Sequence, residues 1–155
     1  MQSVETKLIY SMIALVTAYC AYTDIKGYFI RNMVVIPVFI AGISYHVFCK
    51  TGGCFALKGT LPGLVIFLIA VFKPQWIGAG DGKLLMAIGA WLGWQPAIII
   101  ILAAYYSGVL WSLIKIRVRK GNTSGIPFAV CIFLGVIVYG VSVNLFTERV
   151  NLFGY

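Results

Sequence analysis

Apolar residues run along this chain in six stretches: Leu8 to Thr23, Met33 to Cys49, Leu57 to Phe72, Leu84 to Trp94, Pro96 to Ile114 and Ile126 to Phe146. Charged residues punctuate every gap between them but one. The runs are continuous, as in Val34 to Phe39 and Ile98 to Leu102, whereas the strands of a membrane barrel alternate apolar and polar positions. Continuous runs of this length predict helices. A helix that crosses the hydrocarbon needs roughly 17 to 25 predominantly apolar residues, so six of them nearly exhaust a chain of 155. The expected fold is all-α: a single polytopic membrane domain over residues 1–155, with about six transmembrane helices.

The fourth stretch is short. From Leu84 to Trp94 a helix rises only ~17 Å, against a hydrocarbon thickness of ~30 Å. It must therefore be tilted, extended, or begin below the membrane surface, where its first N–H groups need protein or a water-filled cavity as partners. The one gap without a charge follows it, and Gln95 with Pro96 is expected to make a tight turn there. The first stretch reads as a retained helix, because Glu5 and Lys7 make a weak basic flank and bulky aromatics interrupt the small residues of a cleavage site.

Composition removes the soluble alternative. With 61% apolar and 10% charged residues and a mean hydropathy of +0.98, the chain lacks the polar side chains to cover a water-facing surface. Its partner is the lipid bilayer. Twelve Lys and Arg face four acids, an excess better explained by basic cytoplasmic loops than by nucleic-acid binding, which is not expected. If the first, third and fifth helices run toward the cytoplasm, Lys26, Arg31, Lys73, Lys83, Lys115, Arg117, Arg119 and Lys120 lie inside, and Lys7, Lys50, Lys58 and Arg149 outside. That distribution sets the amino terminus of a multi-pass membrane protein outside. The segment Lys115 to Gly125 is the most polar and reads as a cytoplasmic loop. Cys20, Cys49, Cys54 and Cys131 contain no C-x-x-C pair; they read as small core residues, and Cys49 with Cys54 alone are too few for a zinc site.

The acids carry the candidate chemistry. Glu5 and Glu148 lie near the termini, but Asp24 and Asp81 each sit at a membrane boundary, on the same cytoplasmic side. Two carboxylates that approach closely cannot both ionise cheaply, so one keeps a proton while the other has lost it. Such a pair can draw a proton from an attacking water and give one to a peptide carbonyl. Gly78, Gly80 and Gly82 leave Asp81 unobstructed and allow positive φ or close approach of an extended substrate. Simpler roles stand beside this one: Asp81 as a helix cap, Asp24 as an interfacial residue paired with Lys26.

Asp24 followed by Ile30-Arg31-Asn32, and Gly78-Ala79-Gly80-Asp81-Gly82-Lys83-Leu84-Leu85 opening a later helix, resemble the prepilin peptidases, the Gly-x-Gly-Asp membrane aspartic proteases that process type IV pilins. The likeness covers Leu8 to Gly93 by motif and the rest by helix count. It implies that Asp24 and Asp81 are the catalytic pair, with Gly78, Gly80, Gly82 and Lys83 as the surrounding motif at the substrate approach. The implied substrate is a prepilin-like protein with a short basic leader, cut at the cytoplasmic membrane face without metal or organic cofactor. Two departures are visible. Ile30-Arg31-Asn32 stands where many relatives have Ile-Pro-Asn, and the cysteine-rich insert associated with N-methyltransferase activity is lacking between Thr23 and Met33. The resemblance therefore supports peptidase activity and leaves N-methylation doubtful. The compact form is most similar to the peptidases of tight-adherence pilus systems or of archaeal preflagellins. An intramembrane Gly-x-Gly-Asp protease with another substrate and a small carboxylate-dependent transporter are the rival readings.

Smaller expectations complete the reading. Lys83 snorkels to the interface; Asn32 caps the second helix; His46, alone in an apolar stretch, is structural. Trp76, Trp91, Trp94 and Trp111 anchor helix ends. Gly89 and Gly93, one turn apart, mark a close helix crossing.

Overall fold

The structure, a computed structural model, describes residues 2–27, 29–48, 53–73, 78–118 and 128–152, without the side chains of 2, 3, 115, 116, 118 and 144–152. Six helices make up the described chain: α1 (Gln2–Gly27), α2 (Asn32–Phe48), α3 (Gly53–Phe72), α4 (Ala79–Leu92), α5 (Trp94–Val118) and α6 (Phe128–Leu152). A helix occupies the described part of each expected apolar stretch, Gly93 excepted, and no described residue is in a strand. Most helices overrun the apolar limits. Polar residues such as Glu5, Asp24, Asp81 and Arg117 continue the backbone ladder at the ends, because a helix stops where its hydrogen bonds stop and not where its apolar face does. Thus α5 takes in Lys115 to Val118, and the remainder of the expected polar loop lies outside the described residues.

Three spans, Val4–Gly27, Gly53–Phe72 and Trp94–Ile114, have the length and hydropathy to cross a membrane, and shorter apolar helices cover Asn32–Phe48 and Phe128–Val143. Many large apolar side chains face outward, among them Leu15, Met33, Phe72 and Tyr106. That surface suits lipid and not water.

Pairings along the helices set their directions. Asp24 meets Ala129 and Tyr10 meets Tyr139, so α1 and α6 are antiparallel. Phe55 lies against Gly93, Gly59 against Gly89 and Phe67 against Gly82, so α3 and α4 are antiparallel too. Lys83 reaches Asn32 and Trp91 reaches Val38, so α2 runs with α4. Helices α1, α3 and α5 therefore run one way and α2, α4 and α6 the other. One end of the bundle gathers the carboxy termini of the first set and the amino termini of the second.

The shortest helix is the most enclosed. In α4, with 14 residues, Asp81, Gly82, Leu84, Leu85, Ala87, Ile88, Gly89 and Ala90 are all buried, and it touches all five other helices. At ~21 Å it is shorter than the hydrocarbon is thick, and protein surrounds it. Close approach to α3 depends on small residues. A Cβ on Gly59 would meet the Gly89 carbonyl oxygen, one on Gly89 would meet that of Gly59, and one on Gly63 would meet the Met86 backbone. In lipid, where burial of apolar surface drives nothing, such backbone contact is what binds helices. The close crossing expected at Gly89 is present.

The turn between α4 and α5 corrects the expectation at Gln95 and Pro96. It is made by Gly93 alone, at φ 87°, a conformation natural only to glycine. Its N–H closes α4 on the Gly89 carbonyl at 2.8 Å, and the Phe55 ring occupies the space a side chain would need. Pro96 sits in the first turn of α5, where its missing N–H costs nothing.

Candidate active site

On α1, Ile13, Thr17, Cys20 and Asp24 are all buried, spaced as one inward face of a helix. Asp24 continues an apolar stripe into the last turn of α1, so the stripe carries its carboxylate into the protein and not into the interface. There the Asp24 Oδ2 accepts a hydrogen bond from the backbone N–H of Ala129, at 3.0 Å, in the first turn of α6. The first N–H groups of a helix lack partners within it and bear its positive end, which suits a carboxylate. Pairing with Lys26 is not what holds Asp24; Lys26 lies with its Nζ 4.7 Å from the centre of the Tyr22 ring.

Asp81 is the third residue of α4 and begins the buried face that Leu84, Leu85 and Ile88 continue. Gly78 holds the cap position at φ −71° and ψ 133°, without a side-chain cap. Asp81 is therefore not the cap. Its carboxylate reaches back to the Gly78 backbone N–H, as the third residue of a capping box does, and its own N–H bonds the Gly78 carbonyl at 3.1 Å. A Cβ on Gly78 would lie 2.9 Å from the Asp81 Oδ2.

The two aspartates converge. Both are buried, Asp24 at 7% and Asp81 at 8% exposure, at the same end of the bundle, and Asp24 acts electrostatically on Asp81. Cys20 interacts in the same way with Asp24, Tyr105 with Asp81, and Cys131 with both. Cys20 and Cys131 are buried thiols of the core, as expected, whereas Cys54, at the start of α3, is exposed and not a core residue; Cys49 lies outside the described residues. Among the described residues no three His, Cys, Asp or Glu side chains are grouped to hold a metal ion.

The glycines serve packing. Positive φ occurs among the described glycines at Gly93, so Gly78, Gly80 and Gly82 are not left-handed. Gly82 is buried, and a Cβ there would lie 2.6 Å from the Phe67 Cα; one on Gly80 would lie 3.1 Å from the Ile30 Cβ. Ile30, itself buried, thus covers the start of α4. Lys83 donates to the Asn32 Oδ1 at 3.3 Å, its Nζ 5.7 Å from the centre of the Phe67 ring. Asn32 is not the cap of α2, because it already begins the helix and the Arg31 carbonyl accepts the first bonds, from Val34 and Val35.

The far end of α4 is closed by aromatic groups. Trp91 donates its Nε1–H to the Val38 carbonyl at 2.8 Å and stacks on Tyr45, with ring centres 5.4 Å apart. His46 is buried and donates from Nε2 to the Trp91 carbonyl at 3.2 Å, and its ring packs on Phe55. The structural role expected of His46 is what the geometry displays. Trp91 is corrected from a membrane anchor to an internal pin, while Trp94 and Trp111 are half exposed and Trp76 lies outside the described residues.

The profile of the type IV leader peptidase family matches residues 11–113. The chain belongs to that family. The match takes in α1 through most of α5 and contains both Asp24 and Asp81. Among proteins of the family, the chain is similar to the prepilin leader peptidase/N-methyltransferase of Pectobacterium carotovorum subsp. carotovorum, at 28% identity over 134 residues, covering 79% of this chain and 47% of the relative. It is 29% identical to that of Stutzerimonas stutzeri over 117 residues, with 68% and 39% covered. To that of Legionella pneumophila it is 42% identical over 53 residues, with 34% and 18% covered. The chain thus spans less than half the length of these curated relatives. No solved structure matches it.

Sequence reasoning found both aspartates but missed what surrounds them. The Ala129 amide has no side-chain signature, and Tyr105, Ile30 and Phe67 are ordinary apolar positions. The four-three-four spacing from Ile13 to Asp24 was the available sign that Asp24 turns inward.

Proposed function

We propose that this protein is a membrane-embedded aspartic endopeptidase that removes the leader of prepilin-like proteins, with Asp24 and Asp81 activating water. The observation that carries this reading is the burial of two carboxyl groups at one end of the bundle, near enough for Asp24 to act electrostatically on Asp81, within the segment that matches the family. Buried carboxylates brought together inside a membrane protein oppose stability and point to use.

The chemistry follows from the pair. The ionised carboxylate takes a proton from water as the water oxygen bonds the scissile carbonyl carbon, and the protonated partner gives its proton to the carbonyl oxygen. The tetrahedral diol then collapses: one of its hydroxyls returns a proton to the second carboxylate as the C=O bond re-forms, the C–N bond breaks, and the amine leaves with the proton held by the first carboxyl. No covalent enzyme intermediate forms. Ala129 and Gly78 N–H groups orient the two carboxylates, and the core of α4 keeps water from the far side. Of the described basic side chains, Lys26, Arg31, Lys73, Lys83 and Arg117 belong to the aspartate end, which supports a cytoplasmic active site in the inner membrane by the preference of basic residues for that face. The apolar exterior lets a substrate's hydrophobic helix lie alongside while its leader meets the carboxylates.

The test is cleavage of a prepilin by purified protein in liposomes, comparing wild type with Asp24→Asn and Asp81→Asn, and sequencing the product's new amino terminus. Loss of cleavage in both variants with their folding intact is expected, with the new terminus just ahead of the hydrophobic segment. Full activity in either variant removes the dyad. A cut inside the hydrophobic segment selects the intramembrane protease, and aspartate-dependent flux with prepilin intact selects the transporter.

A further inference from the structure

Asp24 lies in the last turn of α1, where that helix presents carbonyls and the negative end of its dipole. Nothing in the backbone of α1 can hold a carboxylate there. The donor that does so comes from α6, 105 residues away in sequence and beyond the end of the family match at residue 113. We infer that Ala129 is a positioning residue, its backbone N–H fixing the Asp24 carboxylate for chemistry with α6 as the mount. The inference rests on the proposed role of Asp24 as a catalytic carboxylate.

The bond is sheltered and its donor is rigidly placed. Ala129 is fully buried, so water does not compete for the amide. The preceding residue, Phe128, packs its ring on Tyr105 of α5, with centres 5.2 Å apart, and Phe128 and Cys131 also border Gly108 of α5. Farther along, a Cβ on Gly135 would lie 2.8 Å from the Ile100 carbonyl oxygen, and Tyr139 packs on Tyr10. These contacts set the height of α6 against α5 and α1, and with it the position of the amide. An aspartate side chain has two rotatable bonds, so one short hydrogen bond to a fixed donor removes most of its freedom.

The experiment removes the N–H and little else. Ala129→Pro does so in a first helical turn, where proline is tolerated. An ester in place of the peptide bond between residues 128 and 129, introduced with the α-hydroxy analogue of alanine, does so without adding a ring. Ala129→Gly keeps the N–H and loses the methyl group. Prepilin cleavage is measured on monodisperse protein. The expected result is a kcat about tenfold to a hundredfold lower in the proline and ester variants, the scale of a misplaced catalytic group, with KM unchanged and near wild-type kcat for Ala129→Gly. A wild-type kcat in the ester variant, while Asp24→Asn is inactive, overturns the inference and leaves the proposed function standing. So does an equal loss in Ala129→Gly, which would assign the effect to packing. Wild-type protein that does not cut, or Asp24→Asn that cuts at full rate, overturns the proposed function and this inference with it. If the proline variant does not fold, the ester and glycine variants decide.

Discussion

Both ends of α4 are enclosed by protein and both hold buried polar groups, yet they use them differently. At the carboxy end, the Trp91 indole and the His46 imidazole complete hydrogen bonds between α2 and α4, and aromatic rings fill the space around them. Each contact there favours the packed state, since lipid offers no competing partner. At the amino end, Asp24 and Asp81 are two buried carboxyl groups within electrostatic reach, Asp24 acting on Asp81. Backbone N–H groups from α6 and from Gly78 soften that arrangement without cancelling it. One end of the helix is built to hold the bundle closed, and the other carries a strained pair that the closed bundle supports. The cost of the second is tolerable because of the first.

Five substitutions test the contrast between the two ends of α4. The largest effect is expected at the aspartates: Asp24→Asn and Asp81→Asn lower cleavage about 10²- to 10⁴-fold, the reach of general acid–base catalysis, with unchanged or higher thermal stability in detergent. A steep loss of stability in both would make the pair structural and erase the contrast. Next comes Gly63→Ala, whose Cβ would press on the Met86 backbone and force α3 from α4. It should destabilise by about 1–3 kcal/mol, as overpacking does, read by denaturant titration in micelles. Trp91→Phe keeps a ring on Tyr45 but frees the Val38 carbonyl, costing about 0.5–1.5 kcal/mol with cleavage per folded molecule unchanged. Reduced cleavage there would couple the two ends. Lys83→Met comes last. The exposed bond to Asn32 is lost, and with it the ammonium group 5.7 Å from the centre of the Phe67 ring, a change of about 1 kcal/mol or less.

How much of this was legible in the sequence divides along physical lines. The six helices were readable because lipid demands long apolar runs, and their ends were not, because polar residues such as Asp24 and Lys83 extend a helix without extending its apolar signature. Asp24 and Asp81 stood out as rare acids at boundaries. The turn at Gly93 was hidden behind the stronger turn signal of Pro96, which serves equally well in a first helical turn. Trp91 reads like any interfacial tryptophan; only Gly42, where a Cβ would lie 2.8 Å from the indole, makes room for it inside. Backbone donors such as that of Ala129 leave no trace in residue type, since every residue except proline has one.

The bond from Asp24 to Ala129 also bears on how the protein is made. Asp24 leaves the ribosome 105 residues before the amide that holds it, and at about 5–20 residues per second that is an interval of roughly 5 to 20 s. Throughout it, the first helix carries a carboxylate with no mount. Helices α2 to α5 can be inserted and packed in the meantime, but α6 must arrive to complete the arrangement. On the role proposed for Asp24, order of synthesis then becomes a safeguard: the nascent chain gathers α1 to α5 before α6 supplies the carboxylate's mount.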